Sequence, residues 1–253
     1  MTARLTRREA LALLAGTAAS ASLPGPALAE PIGGAGCYLQ RGSLARLGSR
    51  LTSFASISSD LITTTGDPGL DKALGRALVR MSKTFGEQPG FGFIDDSDGM
   101  NAYATPDTQV TGTWGTVMFG REMFRDLMAR NADEGMSVIA VAAHEFAHVA
   151  QFRSGLHDRM LAGQPTVRRI ELHADYLAGY FLGFRKRENP AISVWASGKT
   201  LYEIGDYSFN DRNHHGTPAQ RVEAAETGFA LGKDGVAYAD AFTRGAEYVL
   251  SRY

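Results

Sequence analysis

The chain has 253 residues, 44% hydrophobic and 21% charged, an ordinary globular composition long enough to bury a sizeable core. A formal net charge of −1 supplies no basic field for nucleic acid or an anionic membrane surface. The single cysteine, Cys37, excludes an intramolecular disulfide framework and any Cys-rich zinc site, so a metal would have to be held by His and carboxylate.

Residues 1–29 read as an export signal. Arg4, Arg7 and Arg8 form a charged head, residues 10–21 an apolar run, and Ala27-Leu28-Ala29 a small-x-small cleavage site before Glu30. The apolar run is too short to span a bilayer comfortably. Arg7-Arg8 after Thr6 resembles a twin-arginine signal, yet Ala10 stands where a bulkier apolar residue is usual, so the general secretory route stays open. The expected location is outside the cytoplasm, periplasmic or secreted. Removing the signal takes away three Arg and one Glu, which leaves 23 basic against 26 acidic residues, or −3. The longest later apolar run, 176–184, has nine residues, so no transmembrane segment is expected in the mature chain. Cys37 reads as a free or buried thiol, because Gly34 occupies the place where a lipid-attachment motif carries Leu.

Residues 30–42, rich in Gly and Pro, read as a linker, and 43–253 as a single domain. Leu44, Leu47, Leu51, Phe54 and Ile57 recur at helical spacing and predict a helix over 43–61. Asp67-Pro68 starts a second helix, carried by Leu70, Leu74, Leu78 and Met81 to a stop at Gly86. Short strands follow at 91–94, 101–104 and 115–119, the first running into the acidic turn 95–99. That turn lacks the spacing and terminal Glu of an EF-hand, so it reads as a solvated turn. Helix resumes over 121–130.

The stretch Ala143-His144-Glu145-Phe146-Ala147-His148-Val149-Ala150-Gln151 carries the chemistry. His144 and His148 are four apart, so on a helix both imidazoles leave one face, a spacing that suits two corners of a tetrahedral Zn²⁺ site. Glu145 lies beside the first ligand, where a carboxylate can take a proton from an attacking water. Val138, Ile139, Val141, Ala142, Phe146 and Val149 add an apolar helical stripe that Gly155 can close. A catalytic zinc needs a third protein ligand and an open position. A third His ten residues after the first, with an intervening Gly, is one solution; Ser154 and Gln151 occupy those places and reject it. Glu171-Leu172-His173-Ala174-Asp175 offers another. Glu171 and Asp175 share a helix face, so Glu171 can bind metal while Asp175 reaches a ligating imidazole and fixes its tautomer. His173 points roughly away from that face and reads as a surface or packing histidine.

Beyond Gly155 a loop to Pro165 leads into a long helix over about 166–187, then an amphipathic piece with Ile192, Trp195, Leu201 and Ile204. The polar loop 206–216 ends at Thr217-Pro218-Ala219-Gln220, a helix start with its cap, and helices over 218–231 and 236–252 finish the chain. The pattern predicts an α+β fold, mainly helical with a small sheet.

The run H-E-F-A-H-V-A-Q, then E-L-H-A-D-Y-L-A-G, then H-G-T-P-A-Q-R resembles the gluzincin class of zinc metallopeptidases. It is similar to neutral zinc metallopeptidases of bacteria and to soluble relatives of the HtpX and CAAX-prenyl peptidases. Asn101-Ala102-Tyr103-Ala104-Thr105-Pro106 matches the edge-strand segment of that class. The resemblance implies a zincin-like metallopeptidase domain holding one Zn²⁺ per chain on His144, His148 and Glu171. It implies Glu145 as catalytic base and acid and Asp175 behind His144. It also implies that Asn101, Ala102, Tyr103 and Ala104 pair with an extended peptide or protein substrate by β-addition. HtpX-like relatives carry a His followed six residues later by Arg, an interval that His215 and Arg221 keep, which implies His215 as a stabiliser of the oxyanion. Gly216 replaces a Pro found in some relatives, and His214 leaves open which imidazole faces the metal. The expected activity is zinc-dependent peptide hydrolysis. The alternative is a non-catalytic zincin-fold protein that binds or scaffolds in the cell envelope.

Overall fold

The computed structural model describes residues 62–97, 99–129 and 135–253, with only the backbone of Trp195 and Ala196. The expected export signal, linker and first helix, together with Cys37, lie outside the described residues. Helix α1 (Pro68–Phe85) starts where Asp67 Oδ1 accepts the backbone N–H groups of Gly69 (2.7 Å) and Leu70 (3.0 Å), and it ends at Gly86. Three strands follow: β1 (Gly90–Ile94), β2 (Ala102–Thr105) and β3 (Thr116–Gly120). β3 is buried along its whole length and takes the centre of the order β1-β3-β2, parallel to β1 and antiparallel to β2. β2 is therefore an edge of the sheet, with Ala102 opposite Phe119 and Thr105 opposite Thr116.

The acidic turn after β1 departs from the sequence expectation at one residue. Asp96 is buried, and its carboxylate accepts the backbone N–H groups of Glu122 (2.7 Å) and Met123 (3.0 Å), capping α2 (Arg121–Ala129) from 26 residues away. Gly120 is required beneath it, since a Cβ there would lie 1.9 Å from Asp96 Oδ2. Asp96 is thus a structural cap, whereas its neighbours Asp95 and Ser97 are exposed.

Helix α3 (Met136–Ser154) runs through the core, buried from Ser137 to Gln151 except at Ile139. The expected loop after Gly155 contains a short helix, α4 (Leu156–Leu161), whose buried Leu156 and Met160 form an i, i+4 pair too short for periodicity to register. Then come α5 (Arg168–Glu188), α6 (Trp195–Glu203), α7 (Pro218–Asp234) and α8 (Tyr238–Arg252). α7 opens on the expected capping box, with Thr217 accepting from Gln220 N–H and Gln220 Oε1 accepting from Thr217 N–H. Thr200 donates to Ser137 (3.0 Å) and ties α6 to the start of α3. No helix among the described residues is long and apolar enough to cross a membrane.

α5 is clamped between α3 and α7. Its contact with α7 is backbone against backbone, through glycines spaced four apart on both helices. A Cβ at Gly179 would lie 2.0 Å from the Ala225 carbonyl oxygen, and one at Gly183 2.1 Å from that of Phe229. Reciprocally, a Cβ at Gly228 would lie 1.8 Å from the Tyr176 oxygen and one at Gly232 2.0 Å from that of Tyr180. Gly228→Ala is therefore expected to destabilise the protein by about 3 kcal/mol, the upper end of ordinary overpacking. Gly75→Ala, exposed on α1 with nothing within 4 Å of the added methyl, is expected to stabilise it by about 0.5–1 kcal/mol. Urea denaturation of both variants checks the pair.

Candidate metal centre

Two buried helices bring the site together. α3 supplies His144 and His148 one turn apart, with ring centroids 4.7 Å apart and edge-on at 84°. α5 supplies Glu171, wholly buried in its first turn. His144 Nε2 lies 3.0 Å from His148 Nε2 and 3.2 Å from Glu171 Oε2, and His148 Nε2 lies 3.6 Å from Glu171 Oε1. These three residues form a buried group that can hold a metal ion.

The donor set fits a small tetrahedral ion. Bonds of about 2.0–2.1 Å in tetrahedral geometry put donor atoms roughly 3.3 Å apart, in line with the three edges just given. The proton positions argue the same way. His144 Nδ1 faces Asp175 Oδ1 at 2.9 Å, and His148 Nδ1 faces Gln151 Oε1 at 2.9 Å. Both partners are acceptors, so each neutral ring keeps its proton on Nδ1 and turns a bare Nε2 lone pair inward. Two such lone pairs beside a carboxylate repel one another, and a cation between them removes the repulsion. Glu171 is suited to that role as an anion. Burial works against its charge, but the neighbouring imidazoles of His148, His215 and His144 outweigh it and hold its carboxyl well below the ordinary carboxylate range.

Asp175 does more than face His144. It is fully buried and takes a two-pronged contact from Arg221, Nε to Oδ2 at 2.8 Å and Nη2 to Oδ1 at 2.9 Å, while Arg221 Nη1 donates to the Ile204 carbonyl at 3.2 Å. The guanidinium offsets the Asp175 charge.

The loop 206–216 closes another side. Asp206 Oδ1 holds His214 Nδ1 at 2.5 Å, and Oδ2 accepts the His215 N–H at 2.9 Å with His215 Nδ1 at 3.5 Å. Burial opposes the Asp206 charge, and the hydrogen bonds from His215 and His214 outweigh it and keep its carboxyl far below the usual range. His214 is buried against Asp206 and the Phe209 ring, 5.2 Å between centroids. His215 is only partly buried, and of the two it is the one whose electrostatic influence reaches Glu171.

Glu145 is buried beside His144 on α3 and stands outside the three-residue donor group. Ala102, Tyr103 and Ala104 lie in edge strand β2, which packs against α3. Asn101 precedes that strand: its Oδ1 accepts the Ala102 N–H at 2.8 Å, and its carbonyl accepts the Gly120 N–H at 2.9 Å. Of the two readings of His173, surface or packing, the packing one holds: the ring is fully buried, and burial pushes it down to about 4. Sequence reasoning passed over Gln151 as a side chain with a role, although its place three residues after His148 on one helix face was a signal. It met Arg221 only as an interval from His215, and Asp206 only as a loop residue. Arg221→Met would leave the Asp175 charge buried without its partner, and an expected loss of about 3–5 kcal/mol is measurable by chemical denaturation.

Comparison of the chain with protein-family models, with curated proteins and with solved structures finds no match in any of the three.

Proposed function

We propose that the protein is a zinc-dependent peptidase of the gluzincin type, with a zincin fold. The observation that carries this reading is the buried triangle of His144, His148 and Glu171, two imidazoles from one helix and a carboxylate from the next. Nitrogen and oxygen donors in tetrahedral spacing, three in number, are the donor set of a catalytic zinc that retains an open position. Zinc bound there supplies Lewis acidity and lowers the pKa of water at that position toward about 7.

The chain's own residues do the rest. Glu145 accepts the proton of the attacking water and later delivers it to the leaving amine. Asp175, fixed by Arg221, keeps the His144 proton on Nδ1 and its Nε2 directed inward. His215, held by Asp206, donates a hydrogen bond to the oxygen of the scissile carbonyl as negative charge develops on it. β2, an edge of the sheet packed against α3, offers backbone N–H and C=O groups to an extended peptide. With residues 1–29 as an export signal, the enzyme works in the periplasm or outside the cell.

Metal analysis of the purified protein is expected to return one zinc per chain. Glu145→Gln is expected to keep that zinc and lose about 10²–10⁴-fold in turnover of denatured proteins or peptide libraries, the range for a general acid–base group. His148→Ala is expected to lose both metal and activity. A chelator should abolish wild-type activity, and added zinc should restore it. Undiminished cleavage by Glu145→Gln ends the assignment.

A further inference from the structure

Four hydrogen bonds lead away from His148 on the side opposite Asp175, and their directions determine one another. Gln151 Nε2 lies 2.8 Å from the Ile170 carbonyl oxygen. A carbonyl only accepts, so the amide must present its NH₂ there and its Oε1 to His148 Nδ1, 2.9 Å away. The second amide hydrogen meets His173 Nδ1 at 3.0 Å, which must then accept. The His173 proton therefore sits on Nε2, where it donates to the main-chain oxygen of Phe242 in α8 at 3.2 Å. Gln151 and His173 are both fully buried, where a mismatched donor or acceptor costs about 1–3 kcal/mol. Packing pins the His173 ring as well: the Phe242 ring stands edge-on at 5.1 Å, and a Cβ at Gly245 would lie 3.0 Å from His173 Cδ2.

Reversing one member reverses the others. A proton on His173 Nδ1 would face the Gln151 NH₂, donor against donor, and the amide would have to flip. The flipped oxygen would then oppose the Ile170 carbonyl, and the NH₂ would face His148 Nδ1. That arrangement drives the His148 proton onto Nε2, the atom a metal needs bare.

We propose that Gln151 and His173 are positioning residues of the metal centre. They hold His148 as its Nδ1–H tautomer, and the Phe242 carbonyl of α8 sets the direction of the whole series. The inference rests on reading His144, His148 and Glu171 as a metal centre, and not on the peptidase activity.

Two measurements on the full chain test it. Long-range ¹⁵N spectra of the metal-free wild type are expected to show Nδ1–H at His148 and Nε2–H at His173, whereas Gln151→Met mixes the tautomers at His148. Zinc affinity, read by competition with a chromophoric chelator, is expected to fall about 10–100-fold in Gln151→Met and about tenfold in His173→Leu. His173→Gln supplies both an acceptor and a donor, and it is expected to return affinity to within about threefold of wild type. Wild-type zinc affinity in Gln151→Met, or Nε2–H at His148 in the wild type, overturns the inference. A wild type that takes up no zinc overturns it together with the metal centre. A wild type that binds zinc but cleaves no peptide, with the variants weakened as stated, removes the peptidase reading alone and leaves this inference standing.

Discussion

The constraint from which the rest of the structure follows is the convergence of two bare imidazole nitrogens and a carboxylate in a buried space. Side by side, unprotonated Nε2 atoms of His144 and His148 gain nothing from each other and lose the water that would solvate them. Such an arrangement survives only if each ring is held from behind and a positive charge can sit in front. Everything packed against the cluster supplies one of those two conditions. Asp175 and Gln151 hold the Nδ1 protons, and the buried negative charge of Glu171 lies where a cation could be held.

Holding the rings from behind demands precise spacing between α3 and α5, which explains the unusual packing on the far side of α5. Glycines on α5 and α7 let those two backbones touch, and that closeness lets Arg221 of α7 reach through to Asp175. A side chain at Gly179 or Gly228 would push α7 outward and draw the guanidinium off its carboxylate. Arg221 also ties the Ile204 carbonyl at the end of α6, so four helices meet around one buried ion pair. A buried pair of this kind is weak evidence for stability in itself. Its value here is geometric, because it orients the carboxylate that orients His144.

The opposite wall is of another kind. The loop 206–216 is not a helix, and its order comes from Asp206, whose two oxygens bind the two consecutive histidines. Phe209 and Tyr207 remain largely exposed on the same loop. The helical side of the site thus fixes His144, His148 and Glu171, while the loop side holds His214 and His215 together on one carboxylate.

What the sequence determined by itself is what is encoded within about one helical turn. The cap and Pro that start α1, the capping box of α7, the i, i+4 pair on α3 and the Glu171–Asp175 pair on α5 all fall in this class, since each depends on residues one to four positions apart. Tertiary structure alone decided the pairings whose partners are distant along the chain. Asp96 caps a helix 26 residues away, and 46 residues separate Arg221 from Asp175. Gln151 and His173, 22 residues apart, join into one hydrogen-bonded series only because α3 and α5 lie side by side. The physical reason is that a side chain's local neighbours set its face and its helix, but its hydrogen-bond partner and protonation state belong to whatever element packs against that face.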